Sequence, residues 1–289
     1  MELLTKGDTV GIVACSNGLP ESSSKTIELL KSQLESLGLN VKLSSQIYVD
    51  KSFPKDEGKK KAEVLMDFFR DNKIEAIFDI SGGDLSNEIL EYLDYDVIKE
   101  NNKPFFGYSD LSVVLNALNS KTGMKTYLYQ IRNIIDEYKE VQKKNFYDTI
   151  MGDGNKLMKF DYEWIQGNCI EGIVVGGNIR CVLKLAGTEY MPDFNNKILF
   201  LESFSGNVYK MITYLNQYKQ MGVFKKIKGI ILGSYTEMER ENYSPDIIEL
   251  VKNIVDDESM PIVKTSEIGH GKDSKCIAIG ENISLHRQE

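Results

Sequence analysis

The chain has 289 residues, 42% of them hydrophobic and 27% charged, which is enough apolar material for one large or two ordinary domains and too much for a disordered chain. A formal net charge of −8 speaks against a nucleic-acid-binding surface, which needs clustered lysine and arginine. No stretch approaches the roughly 20 apolar residues of a membrane span, and the first ten residues lack the basic-then-apolar order of a signal peptide, so a cytoplasmic protein with no nucleic-acid or membrane partner is expected.

In chain order, the apolar run 9–14 reads as a strand, followed by a Ser/Asn/Gly loop and an amphipathic helix over 23–37 that Gly38 closes. A strand at 41–43, a helix over 58–72 and a strand at 76–80 continue the cycle. Within that helix Lys59, Lys60 and Lys61 read as a solvated face. The loop Ser81-Gly82-Gly83-Asp84, a helix over 87–93, a strand at 104–108 and a helix over 111–119 complete the first block. Alternating strands and helices predict a parallel, doubly wound α/β sheet. Ligands bind such sheets at the carboxyl edge, where Ser16, Gly82, Gly83 and Ser109 fall.

From 133 to 168 the pattern turns polar and aromatic and reads as a linker or cover. A second block then has short strands at 170–175, 197–201 and 228–232, separated by helices at 180–185, 208–219 and 244–255. The expected organisation is a domain over 1–132, a connecting segment over 133–168, and a second domain over 169–289, with a cleft between the domains. Cys15, Cys169, Cys181 and Cys276 are scattered without Cys-x-x-Cys spacing, so they read as small reduced core residues and not as a metal site or disulfide framework. Neither a metal nor another cofactor is expected.

The abrupt junction Phe106-Gly107-Tyr108-Ser109-Asp110-Leu111 is where a serine nucleophile is lifted to the edge of a sheet with helix amides behind it. The competing role is a simple helix cap by Ser109 or Asp110. A nucleophilic serine needs a base, and the chain has two histidines. His286 lies near the end of the sequence, where disorder is the usual expectation. His270 sits in Gly269-His270-Gly271, where glycines let the backbone present an imidazole into a cleft or merely make a surface turn. A carboxylate at a buried strand end would orient that imidazole. Glu202, closing the run Lys197-Ile198-Leu199-Phe200-Leu201, fits, with a solvent-facing or helix-capping charge as its alternative. Amides of Gly82, Gly83 and Asp110 are candidate donors to an oxyanion, although a paired-glycine loop equally suits a phosphate or another anion. That leaves a non-catalytic small-ligand binder as a reading of a different class.

These segments resemble the serine LD-carboxypeptidase family, which includes muramoyl-tetrapeptide carboxypeptidases and microcin C immunity peptidases. The landmarks run along nearly the whole chain: Gly7-Asp8, Ser81-Gly82-Gly83, Leu93-Asp94-Tyr95-Asp96, the Phe105 to Asp110 junction, Gly176-Gly177-Asn178, Gly187-Thr188, the Lys197 to Glu202 strand and Gly269-His270-Gly271. The resemblance implies a Ser-Glu-His triad at Ser109, Glu202 and His270, a flavodoxin-like N-terminal domain, a smaller β-rich C-terminal domain, a homodimer and no metal. It implies hydrolysis of an amide, foremost release of a terminal D-amino acid from murein peptides. Asp84 and then Ser86-Asn87 look more like the immunity branch, whose substrates are aminoacyl-nucleotide analogues, and Tyr129-Gln130 and Ser203 also depart from the carboxypeptidase pattern. Asn178 and Arg180 are further substrate-binding candidates. Arg180 could meet a substrate carboxylate or be an ordinary surface arginine. Trp164, the single tryptophan, could stack on a nucleotide or seal an interface.

Overall fold

A computed structural model describes residues 2–49, 52 and 56–287 and arranges them around two six-stranded sheets. Strands β1 (Thr9–Val13), β2 (Asn40–Leu43), β3 (Ile74–Asp79), β4 (Phe105–Gly107) and β5 (Thr126–Leu128) run parallel in the spatial order 2-1-3-4-5. This is the flavodoxin-like order. Helices α1 (Ser24–Ser36), α2 (Glu57–Arg70), α3 (Tyr95–Glu100) and α4 (Ser112–Thr122) connect them. The chain continues through α5 (Lys139–Ile150), β6 (Glu163–Gln166), β7 (Cys169–Asn178), α6 (Ile179–Val182), β8 (Lys197–Ser203), α7 (Val208–Gln220), β9 (Gly229–Tyr235), α8 (Thr236–Arg240), α9 (Ile247–Val255), β10 (Ile262–Lys264), β11 (Ile277–Ile279) and β12 (Asn282–His286).

The second sheet has the order β12-β7-β8-β9-β10-β6, its inner four strands parallel and both edge strands antiparallel. Strand β11 returns to the first sheet, where Ile277 pairs antiparallel with Leu128. The chain then crosses back so that β12 can pair with β7.

Helix α4 explains how the two sheets meet. Its residues Val113, Val114, Leu115, Ala117 and Leu118 are all fully buried, as expected of a helix that is apolar all round. They share one core cluster with Phe105 of the first sheet and with Ile170, Val174, Phe200 and Ile231 of the second. Its polar Asn116 is buried as well, and its amide closes on the backbone of Gly176, donating to the carbonyl at 2.7 Å and accepting from the N–H at 3.0 Å. Gly176 and Gly177 have φ of 117° and 144°, and a Cβ on Gly177 would strike the Ser112 hydroxyl. Glycine is needed there because the end of β7 lies directly against the start of α4.

Several expectations are corrected. The stretch 133–168, expected to be a linker or cover, contains α5 and β6. Phe146 and Ile150 of α5 pack in the core beneath the first sheet with Phe78, Phe106 and Tyr129, and the Tyr129 hydroxyl lies 2.9 Å from Gln142 Oε1. Only four α5 positions are buried, two of them polar, so no clear apolar period announces the helix. Lys61 is not solvated: its ammonium is buried against Glu57 at 2.6 Å and donates to the Ser16 carbonyl. His286 is not disordered but ends β12, its Nε2 2.8 Å from Ser284 Oγ. Cys169 is exposed, whereas Cys15, Cys181 and Cys276 are buried. Among the described residues no helix is long and apolar enough to cross a membrane.

Candidate active site

Strand β4 ends at Gly107 and the chain turns at once into a helical turn, so Ser109 is forced to φ +58°, a left-handed conformation rare for a residue with a Cβ. The strain lifts its side chain off the sheet edge, with the amides of α4 behind it. Ser109 Oγ lies 3.0 Å from His270 Nε2, and His270 Nδ1 lies 2.5 Å from Glu202 Oε2. A carboxylate accepts only, so Nδ1 carries the proton and Nε2 is left to accept from the serine hydroxyl. A hydroxyl in that setting can give up its proton as it attacks a carbonyl.

Three elements hold the line in place. Glu202 is fully buried in β8, and its Oε1 accepts a bond from Asn178 Nδ2 at 3.1 Å. Asn178 is itself tied to α4, because its N–H donates to Ser112 Oγ at 2.9 Å. The helix behind Ser109 thus holds, through one amide side chain, the carboxylate that faces His270. Gly269 adopts φ +143°, and a Cβ there would strike the Ser234 hydroxyl, which accepts the His270 N–H at 3.3 Å. The imidazole packs against the rings of Tyr108 and Phe204, at centroid separations of 4.6 and 5.1 Å. Burial, with the Glu202 charge nearby, pushes the Tyr108 phenol up to about 12, so it stays neutral beside the imidazole.

The loop Gly82-Gly83-Asp84 faces this line. A Cβ on Gly82 would sit 4.0 Å from that of Ser109. The amides of Gly83 and Asp110 make no hydrogen bond to the rest of the chain among the described residues. Gly83 has φ +130°, and a Cβ there would collide with the side chain of Asn17, whose Oδ1 accepts the Asp84 N–H at 2.8 Å.

Matches to two family models cover most of the chain. Residues 10–129 match the LD-carboxypeptidase N-terminal domain, and residues 171–285 match the LD-carboxypeptidase C-terminal domain. The chain belongs to the LD-carboxypeptidase family. It is therefore placed among hydrolases. The probable murein peptide carboxypeptidase of Bacillus subtilis is 27% identical over 99% of this chain and 91% of its own length. Among solved structures, an MccF-like protein from Bacillus anthracis superposes with a TM-score of 0.85 at 27% identity, covering 99% of this chain and 95% of that one. The microcin C7 self-immunity protein MccF, solved in complex with aspartyl sulfamoyl adenosine, shares the fold with a TM-score of 0.85 at 22% identity, covering 99% and 97%.

Within this LD-carboxypeptidase fold the remaining candidates have distinct surroundings. The carboxylate of Asp110 is fully buried. Burial pushes its acidity toward the neutral form, but Lys184 at 2.5 Å, the Ser16 hydroxyl at 2.7 Å and the Ser86 N–H at 3.0 Å outweigh it and hold the carboxyl below the usual carboxylate range. Arg180 is occupied: its guanidinium pairs with Asp84 at 2.5 Å and donates to the Gly83 carbonyl at 3.2 Å. Trp164 lies on edge strand β6, packed against the core beside Tyr162, and does not line the cavity next to His270. Its indole N–H is buried without a partner among the described residues.

Sequence reasoning missed Lys184, Asn17 and the ring pair around His270. Lys184 also donates to the Asp84 carbonyl at 2.7 Å, so it clasps the glycine loop and the residue after Ser109 together. The signal was present, since Arg180 and Lys184 are one helical turn apart in an otherwise apolar stretch and so reach the same side.

Proposed function

We propose that the chain is a serine peptidase that hydrolyses an amide bond, foremost as an LD-carboxypeptidase that releases a terminal D-amino acid from murein peptides. The observation that carries this reading is the unbroken hydrogen-bonded line from Ser109 Oγ through His270 to Glu202, set at a strained strand-to-helix turn. In the proposed reaction Ser109 Oγ attacks the scissile carbonyl while its proton passes to His270 Nε2. The amides of Gly83 and Asp110 receive the developing oxyanion, and Glu202 stabilises the imidazolium. His270 then protonates the departing amine, leaving an acyl ester on Ser109. Water, deprotonated by the same imidazole, releases the acid and restores the serine. Asn178 positions Glu202 and touches no reacting atom in this scheme.

Ser109→Ala tests the assignment. Incubation with a murein tetrapeptide and mass spectrometry should show loss of one D-alanine with the wild type and none with the variant. Substantial turnover by the variant would overturn the nucleophile assignment. A fluorophosphonate probe separates the enzyme from a non-catalytic binder, because only the former is labelled at Ser109.

A second reading, an amidase acting on aminoacyl-nucleotide analogues, draws support from Asp84, which follows the paired glycines and is fixed by Arg180, and from the fold shared with MccF. Aspartyl sulfamoyl adenosine assayed beside the tetrapeptide decides between the two. A homodimer working in the cytoplasm completes the proposal, and light scattering of the purified protein tests its oligomeric part.

A further inference from the structure

Beside His270 the molecule has a cavity of about 480 Å³, lined among others by Tyr108, Gln130, Arg132, Asp136, His270 and Lys272. Tyr108 precedes Ser109 in the chain and His270 Nε2 is 3.0 Å from its hydroxyl, so this cavity adjoins the proposed reacting group. Two residues of its lining hold unanswered donors. The Nε2 of Gln130 and the Nε of Arg132 are both buried with no hydrogen-bond partner among the described residues. Such atoms are costly to leave unpaired, and native proteins keep few of them without a ligand or water to meet them.

The orientation of Gln130 is set by its own backbone neighbourhood. Its Oε1 accepts the Arg132 N–H at 3.1 Å, so the amide nitrogen is the end left over. Gln130 is only 7% exposed, so the donor is part of the buried wall and not a mobile surface group. The charges on the same wall are unequally matched. Lys272 is answered by Asp136 at 3.2 Å and Glu137 at 3.5 Å. Arg132 has no carboxylate partner among the described residues, and Arg180, the arginine expected to meet a substrate, is already held by Asp84. A planar guanidinium and a carboxamide N–H lining one cavity supply donors suited to the two oxygens of a carboxylate. Residues 130 and 132 also fall between the two stretches that match the family models, 10–129 and 171–285.

We propose that Arg132 and Gln130 form a subsite for a carboxylate of the substrate, next to the scissile amide. This rests on the amide-hydrolase reading above and adds a specificity determinant to it. The carboxylate has two sources in a murein peptide: the terminus of the departing D-amino acid, or the side chain of a diamino-dicarboxylic residue. In either case the negative charge anchors the peptide so that its carbonyl faces Ser109.

The test is binding, measured by ligand-observed NMR on the full chain carrying Ser109→Ala, so that nothing is consumed. The probes are N-acetyl-D-alanine against its C-terminal amide, and N-acetyl-diaminopimelate against N-acetyl-lysine. At least one acid should bind roughly tenfold or more tightly than its uncharged or amine counterpart, and the pair that shows the preference identifies the source. Adding Arg132→Gln should erase the preference, Arg132→Lys should keep part of it, and Gln130→Leu should weaken it severalfold while preserving its sign. Equal binding of acid and counterpart, no binding of any probe, or a preference that survives Arg132→Gln would overturn the subsite. Should Arg132→Gln not fold, the Arg132→Lys and Gln130→Leu series decides by the same criterion. Fluorophosphonate labelling of the wild type at Ser109 is run in parallel: its failure rejects the hydrolase reading while leaving the binding result standing.

Discussion

Replacing Lys184 by Met removes a cation that reaches both the carboxylate of Asp110 and the carbonyl of Asp84. Asp110 is fully buried and the Lys184 side chain is 19% exposed, so the pair is nearly out of water. Breaking a buried pair from one side costs about 3–5 kcal/mol. Here the Ser16 hydroxyl and the Ser86 N–H still hold the carboxylate, and the lysine has some access to solvent. The expected loss is therefore about 2–3 kcal/mol at pH 7.5, or about 3–5 °C in melting temperature for a chain of this size. The pH dependence has a definite sign. In the wild type Asp110 sits below its unfolded acidity, so its contribution is full above the ordinary aspartate range and is lost as pH falls through the depressed folded value. Without Lys184, burial dominates and the folded value rises. The variant's deficit is then largest near neutrality and shrinks as the pH approaches 4, where the buried carboxyl takes up a proton. Adding Asp110→Asn to Lys184→Met should recover part of the loss at pH 7.5. Melting curves of the three proteins at pH 7.5 and 5 provide the check. A deficit below about 0.5 kcal/mol, or one that widens on acidification, would refute the argument that this ion pair holds the turn behind Ser109.

Ser109→Gly removes both the hydroxyl and the Cβ that makes φ +58° unfavourable. It should abolish hydrolysis yet raise stability by about 1 kcal/mol, and a lower melting temperature would contradict the strain assignment. Glu202→Gln keeps the shape but loses the charge facing Nδ1 and should lower kcat about a thousandfold or more with little change in KM, whereas near-normal kcat would remove Glu202 from the proposed mechanism. Burial raises the Cys15 and Cys276 thiols, and it raises that of Cys181 to about 12, so these three should resist Ellman's reagent at pH 8. One reactive thiol, at exposed Cys169, is expected in the native protein and four in guanidinium. Two or more fast thiols in the native protein would contradict that burial pattern.

The parallel sheet was legible because its strands are buried on both faces and read as short runs without charged residues, as in Val10 to Val13 and Ala76 to Phe78. Ser109, Glu202 and His270 stood out because each breaks a local pattern: a hydroxyl after an apolar strand, a charge at the end of one, and an imidazole between two glycines. What escaped was information that only three-dimensional pairing creates. Strands β5, β10 and β11 have three residues each, too short to show a period, and they exist because neighbouring strands supply their hydrogen bonds. Lys61 looks like its exposed neighbours Lys59 and Lys60 until Glu57 and the Ser16 carbonyl are seen to meet it. The free donors of Gln130 and Arg132 have no sequence signature, since a missing partner is visible only once every neighbour is placed.

The return of β11 to the first sheet has a consequence for the order in which the molecule comes into being. Residues 277–279 complete the sheet begun by Thr9, and they follow His270 by less than ten positions. During synthesis, then, the serine turn emerges early but waits for more than half of the polypeptide before its imidazole, and soon afterwards the sheet's last strand, arrive. Contacts of such long sequence separation close late in folding. A ribosome-held chain ending before Ile277 should therefore refuse the fluorophosphonate label that the finished molecule is expected to accept, so that topology would withhold the proposed chemistry from the nascent protein.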